Sequence, residues 1–542
     1  MKDISGWTLR HDPARTAALR AEGIWRDRTI ADEARALRET DPGRVTHWDG
    51  TGAHDVAGLL GDAEALAAAL WSRGLRPGDV ISMQLPNWRE AIVVDLAAVL
   101  IGLVVNPIVP IYRDAEVGLI LADCRARAVF APEVFRGLDF VAMLERLAPD
   151  LPDLGHIVFV RNAEARPGDF ASLLAEGRGL SVPWPRVAPE AAKLIMYTSG
   201  TTGRPKGVLH SHETLRRALD MSAAEWRLDP GSVFLMPSPV THVTGYSFGI
   251  EMPFLCGTRT VLMEKWNADE ALDLVERHGA NATVGATPFL QELADAAARQ
   301  GRPLPTFRVF ACGGAAVPPE LVRRARETFA DCAVCRVYGS TEAPMITQGF
   351  VRPGEDRLAA ETDGRIVGYE VKIVDDDGRP LPPGGEGEIM VRGPALFLGY
   401  ADAGQTADSF DGEGFFRTGD IGIVSPENAI IITGRKKDLI IRGGENLSAK
   451  EIEDALHRHP AIREAAAVSM PHARLGETVC AYVIPVDGVR PTLAELVAFL
   501  DSAGLAKQKF PEHLEIVDDF PRTASGKIRK DVLRRMIAEK RA

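Results

Sequence analysis

Residues 197–207 read Tyr197-Thr198-Ser199-Gly200-Thr201-Thr202-Gly203-Arg204-Pro205-Lys206-Gly207, directly after the apolar run Leu194-Ile195-Met196. Hydroxyls, glycines and a closing lysine behind a strand-like segment can bring backbone N–H groups and side-chain donors onto phosphate oxygens, with Lys206 adding positive charge. The Walker pattern is absent, since no Gly-Lys-Ser/Thr occurs and Gly207 follows the lysine. Taken alone, the stretch also reads as a flexible Ser/Gly/Thr linker.

Further groups follow in a fixed order. They are Tyr338-Gly339-Ser340-Thr341-Glu342-Ala343, Thr418-Gly419-Asp420, Gly434-Arg435-Lys436-Lys437-Asp438, Arg442-Gly443-Gly444-Glu445-Asn446, and Pro521-Arg522-Thr523-Ala524-Ser525-Gly526-Lys527. Singly, each has a plain reading. Glu342 after Ser-Thr fits a helix N-terminal acid, Asp420 after Thr-Gly fits a turn, and Lys527 fits a solvated basic tail. Spacing alone gives a phosphate-binding α/β protein with a mobile C-terminal domain.

The ordered set resembles the adenylate-forming superfamily: acyl- and aryl-CoA synthetases, luciferases and peptide-synthetase adenylation domains. The likeness runs from about residue 50 to the end of the chain. It implies ATP-dependent activation of a carboxylic acid. The carboxylate attacks the α-phosphate, pyrophosphate leaves, and a thiol then displaces AMP from the acyl adenylate. Both reactants of the first step are anions, so Mg²⁺ and cationic donors are needed.

Carried over by position, the resemblance implies that Thr198, Ser199, Gly200, Thr201, Thr202 and Lys206 cradle the β- and γ-phosphates. Tyr338 stacks on adenine, with Gly313, Gly314 and Ala315 as the opposite wall and Gly339 beside it. Thr341 meets the α-phosphate, Glu342 holds Mg²⁺, and Asp420 takes the ribose hydroxyls with Arg435 alongside. Lys527 bridges the carboxylate and α-phosphate oxygens. Lys437 is the hinge, and Gly443 and Gly444 leave room for a pantetheine arm passing close to backbone. Arg442, Lys436, Lys507, Lys509 and Arg529 are the cations offered to CoA. The acid pocket falls to His242, Val243, Thr244, Thr287, Gly339 and Met345.

Within the superfamily, Gly285-Ala286-Thr287-Pro288 and Lys509-Phe510-Pro511-Glu512-His513 resemble cyclohexanecarboxylate-CoA ligases and short-chain fatty acyl-CoA synthetases. The implied enzyme is an acid–CoA ligase for a small alicyclic or short- to medium-chain acid. Alternatives are an aryl-CoA ligase, an acyl-AMP ligase loading a carrier protein and, outside catalysis, an inactive acyl-binding scaffold. Two departures from the pattern are Val367-Gly368, where Pro-Gly is usual, and Val337 before Tyr338, where Gly is frequent.

Positioning such residues requires alternating strands and helices. Residues 80–85, 156–160, 194–197, 233–236, 260–263, 308–311 and 333–337 read as strands, and 56–71, 215–226, 268–278 and 319–329 have helical spacing. Continuous apolar strands between helices predict parallel sheets covered on both faces. Past residue 360 Gly, Asp and Pro become dense, predicting a β-rich subdomain over about 360–434. The expected fold is α/β: an N-terminal domain over 1–434 with parallel-sheet layers and that subdomain, then a small mobile α+β C-terminal domain over 435–542.

Composition narrows the classes. A chain of 542 residues exceeds one ordinary core. With 63 basic against 75 acidic residues, its net charge of −12 argues against nucleic acid as a partner. Six cysteines make no disulfide framework and fit a reducing cytoplasm; Cys332 and Cys335 read as apolar residues of a buried strand rather than zinc ligands. Residues 91–111 are the most membrane-like, yet Asp95, Asn106, Pro107 and Pro110 interrupt them, so a buried helix followed by a core strand is expected. The anticipated partners are the acid, ATP and CoA, with a monomer or homodimer left open.

Overall fold

The computed structural model describes residues 2–164, 166–198, 205–523 and 526–541. Two seven-stranded sheets carry most of the chain. One runs in the order Ala333–Val337, Val309–Gly313, Ala282–Gly285, Val233–Met236, Arg259–Leu262, Val45–Asp49 and Gly52–Asp55, parallel except for the last pairing. The other runs Gly399–Tyr400, Lys206–Ser211, Ala192–Thr198, Val104–Pro107, Val80–Met83, Ala126–Pro132 and His156–Val160. Its five strands from Ala192–Thr198 onward are parallel, whereas Lys206–Ser211 folds back antiparallel on Ala192–Thr198. That reversal places Thr198 opposite Lys206, one strand in from the sheet's edge.

The layers join through Arg89–Leu100, a helix whose residues from Glu90 to Leu100 are all buried. It packs against strands of both sheets and against the helix Val56–Ser72. A helix apolar all round belongs in an interior, and this one ends before the strand Val104–Pro107, as the interruptions in 91–111 require. Among the described residues no helix is long and apolar enough to cross a membrane.

Burial of Asp95 on this helix needs partners. Lys193, at the start of the strand leading to the phosphate loop, supplies one at 3.6 Å and also pairs with Glu251. Tyr246 donates to Asp95. Burial pushes the Glu251 carboxyl up from its ordinary range, against the pull of Lys193. The cluster ties the phosphate-loop strand to Gly245–Glu251, a segment wound as a π-helix.

The β-rich part is an antiparallel sheet of Glu370–Val374, Gly387–Arg392, Phe416–Val424 and Ile430–Arg435. Beyond it a five-stranded sheet combines Glu445–Leu447, Ile440–Arg442, Gly476–Pro485, Ile462–His472 and His513–Ile516. Its helices include Ala449–Leu456 and the C-terminal Lys530–Arg541. Cys332 and Cys335 are buried and unpaired, and no group of metal-ligating side chains gathers among the described residues.

Candidate active site

A cavity of about 430 Å³ opens where the two large sheets, the four-stranded sheet and the C-terminal segment meet. Thr198, Lys206, His242, Val243, Thr244, Gly313, Gly314, Tyr338, Gly339, Thr341, Glu342, Met345, Arg435, Lys437 and Lys527 line it, so residues from six separated sequence motifs share one space. Ser199, Gly200, Thr201 and Thr202 lie outside the described residues.

Two loops at strand ends form one wall. After Val309–Gly313 the chain turns at Gly314, whose φ of +81° favours glycine. A Cβ on Gly313 would stand 2.3 Å from the Val337 carbonyl oxygen. The neighbouring strand, Ala333–Val337, delivers Tyr338 and Gly339. A Cβ on Gly339 would meet the Met345 nitrogen at 2.6 Å, so this crossing admits only glycine. The backbone N–H of Tyr338 is fixed by Thr347 at 2.7 Å, and His210 donates from Nε2 to the Thr341 carbonyl at 2.7 Å. Burial lowers the His210 imidazole to about 4, so it remains a neutral brace.

Asp420 and Arg435 face each other across antiparallel strands. One Asp420 oxygen accepts from the Tyr338 hydroxyl at 2.7 Å and the other from Arg435 Nε. This acceptor is 5 % exposed and held at both oxygens, with its own N–H bonded to the Thr418 hydroxyl at 3.1 Å.

Lys527 enters from the C-terminal segment. Its backbone is braced by Thr523, which donates an N–H to the Lys527 carbonyl at 2.8 Å and accepts the Lys527 N–H at 3.1 Å on its hydroxyl. Its side chain reaches Gly314, where a Cβ would sit 3.5 Å from Cε. Burial first, and then the charge of Arg435, bring the ammonium down to about 8.

The remaining wall is built from the helix His212–Glu225, the π-helical segment Gly245–Glu251 and the strand Ala282–Gly285. Ala218, Leu219, Ser238, Ser247, Phe248 and Val284 face the cavity there, and none carries a charge. His242 lines the cavity beside Val243 and Thr244. Burial, then Lys527, lower its imidazole to about 3, so it is neutral. The Thr244 N–H points at its Nδ1 over 3.4 Å, which leaves the ring proton on Nε2.

Some expected residues lie elsewhere. Thr287 is outside the lining; its hydroxyl donates to the Ala316 carbonyl at 2.9 Å, as suits the first turn of a helix. Ala315 and Asp420 are also outside the lining; Asp420 stands behind it, bonded to the lining residues Tyr338 and Arg435. Gly443 and Gly444, with φ of +61° and +93°, form the tight turn between Ile440–Arg442 and Glu445–Leu447, away from the cavity. Most cations offered to CoA already meet carboxylates: Arg442 with Glu512 at 2.6 Å, Lys509 with Glu451 at 2.5 Å, Lys436 with Glu388 at 3.0 Å and Arg529 with Asp531 at 3.1 Å.

Sequence reading passes over Tyr400. It sits on the edge strand Gly399–Tyr400 and lines the cavity, donating from its hydroxyl to Glu342 at 2.9 Å. A distant contact of this kind leaves no local pattern. A preceding Gly-Tyr pair is its only sequence signal.

The sequence profile of the AMP-binding enzyme family matches residues 39–401, and that of the AMP-binding enzyme C-terminal domain matches residues 451–527. The chain is 37% identical to a medium-chain fatty-acid–CoA ligase of Escherichia coli (strain K12), over 98% of this chain and 95% of the relative. It is 32% identical to a 2,3-dihydroxybenzoate-AMP ligase of Bacillus subtilis (strain 168), covering 96% of both. The ATP-bound crystal structure of MatB from Rhodopseudomonas palustris superimposes with a TM-score of 0.83 at 28% identity, over 93% of this chain and 98% of that one.

Proposed function

The chain belongs to the AMP-binding enzyme family and is an adenylate-forming acyl-CoA ligase by kinship; on that premise we propose that it joins a short- to medium-chain or small alicyclic carboxylic acid to CoA. The observation that carries this reading is the uncharged stretch of lining around Leu219, Val243, Phe248 and Met345, in a cavity that Arg435 and Lys527 also line. An acid there finds apolar contact along its body, and Lys527 supplies the positive charge for its carboxylate. The identity to the medium-chain ligase supports the same class.

In the first step, a carboxylate oxygen forms a bond to the α-phosphorus of ATP and the α–β phosphoanhydride bond breaks, releasing pyrophosphate. Tyr338 and the Gly313-Gly314 turn sandwich adenine. Asp420 accepts from the ribose hydroxyls, with Arg435 fixing its orientation. Thr198, Ser199, Gly200, Thr201, Thr202 and Lys206 hold the β- and γ-phosphates, and Thr341 meets the α-phosphate. Lys527 donates to both the carboxylate and α-phosphate oxygens, where negative charge moves during transfer.

A lone glutamate suits Mg²⁺, which is commonly held by one or two carboxylates together with substrate phosphates, and Glu342 is the residue assigned to it. When bound, the ion offsets charge on the phosphates. In the second step the CoA sulfur bonds to the acyl carbon and AMP leaves with the electron pair. The C-terminal domain, residues 435–542, turns about Lys437 to bring Gly443 and Gly444 to the pantetheine arm. Free cysteines support a reducing, cytoplasmic setting.

AMP release against acids from acetate to palmitate, with cyclohexanecarboxylate, benzoate and cinnamate, tests the reading with and without CoA. CoA-dependent release with aliphatic or alicyclic acids is expected. Turnover confined to aryl acids would replace the substrate class. Adenylate that CoA does not consume would replace the acceptor by a carrier protein.

A further inference from the structure

Glu342 and Lys206 come from distant parts of the chain, yet one side chain touches both. The Tyr400 hydroxyl donates to Glu342 Oε1 at 2.9 Å, and Lys206 Nζ stands over the Tyr400 ring at 4.9 Å from its centre. Tyr400 itself is held firmly. It pairs with Val208 in the sheet, donates its N–H to the Thr406 hydroxyl at 2.8 Å and packs edge-on to Phe397 at 4.9 Å. The Phe397 N–H in turn donates to the Glu342 carbonyl at 2.8 Å, anchoring the carboxylate's backbone to the same strand edge. Tyr400 is 4 % exposed.

We infer that Tyr400 is a positioning residue that fixes Glu342 by its hydroxyl and Lys206 by its ring, presetting the distance between the metal carboxylate and the phosphate lysine. A hydrogen bond to one carboxylate oxygen selects the rotamer and leaves the other oxygen for a cation. Groups that orient a ligand in this way commonly change metal affinity by about 10- to 100-fold when removed. The ring acts separately, because a cation over an aromatic face is attracted without any contribution from the hydroxyl. The two contacts can therefore be removed one at a time.

The inference rests on the assignment of Glu342 to the metal, and the test separates the two. Mn²⁺ binding to the full chain with a non-hydrolysable ATP analogue, followed by electron paramagnetic resonance, reads metal affinity without turnover. Glu342→Gln should weaken Mn²⁺ strongly. Tyr400→Phe, which keeps the ring and its packing, should weaken it about 10-fold with KM for ATP and for acid nearly unchanged. Tyr400→Leu should raise KM for ATP as well, because Lys206 loses its platform. The double variant Glu342→Gln/Tyr400→Phe should bind no more weakly than Glu342→Gln alone. Weakening by Glu342→Gln with wild-type affinity in Tyr400→Phe overturns the role of Tyr400. Wild-type affinity in both overturns the metal assignment and the Tyr400 inference together.

Discussion

The parts of the cavity proposed for nucleotide and for acid are built by different rules. In the part proposed for the nucleotide, polar groups are held by other polar groups: Asp420 by Tyr338 and Arg435, Thr341 by His210, and Glu342 by Tyr400. In the part proposed for the acid, Leu219, Val243, Phe248 and Val284 contribute shape without charge. A nucleotide presents fixed donors and acceptors, so its site must satisfy them one by one. An acid's hydrocarbon body requires volume only, which many side-chain sets can supply. The nucleotide end should therefore tolerate few substitutions, and the acid end should change its preference when altered.

The largest effect should follow loss of Lys527. Lys527→Ala is expected to lower adenylation by about 100- to 1000-fold while sparing thioester formation from supplied acyl adenylate, measured as separate half-reactions. Equal loss in both would break the assignment of Lys527 to the first step. Asp420→Asn comes next. Replacing a buried, charge-assisted acceptor should raise KM for ATP about 10- to 100-fold, with selectivity among acids unchanged in initial-rate assays.

Leu219→Ala should act at the other end. It is expected to shift kcat/KM toward longer or bulkier acids by about 10-fold, at a stability cost of about 2–5 kcal/mol seen on chemical unfolding. Failure to change the acid profile would remove the helix His212–Glu225 from the pocket wall. His242→Ala should change relative kcat/KM among acids by about 10-fold, the low end for a small pocket alteration, with KM for ATP unaltered.

The smallest effect concerns pH. Lys527 is charged below its value of about 8 and neutral above it, so kcat/KM for ATP in the first half-reaction should be flat below pH 7 and fall through pH 8. At pH 8 the loss is about twofold. Lys527→Arg should remove the alkaline fall, since a guanidinium keeps its charge. Because His242 is already neutral down to about 3, no step between pH 5 and 7 should arise from it.

The same contrast explains what was legible in the sequence. Strands Val233–Met236 and Ala333–Val337 and the helix Ala268–His278 coincide with the spacing-based ranges, because continuous apolar runs and strong amphipathic faces dominate locally. The residues proposed for the nucleotide stand out in the sequence because each sits in a short segment with Gly, Tyr, Asp or Lys at a fixed offset, and many of them line one cavity. The π-helical turn Gly245–Glu251 was not readable, since an apolar stretch does not reveal its winding.

Tyr400 was missed because its partner Glu342 is distant in sequence and meets it only through sheet pairing. Thr287 shows the converse. Its motif suggested a pocket hydroxyl, but the first turn of Thr287–Gln300 directs that hydroxyl to Ala316 instead.

The separation of the two ends is tested most directly by AMP release across the acid panel for wild type and Asp420→Asn side by side. Lower rates at fixed ATP are expected for the variant, with the same rank order of acids. A reordered panel would show that the nucleotide end also selects the acid, and would contradict the division on which the functional reading stands.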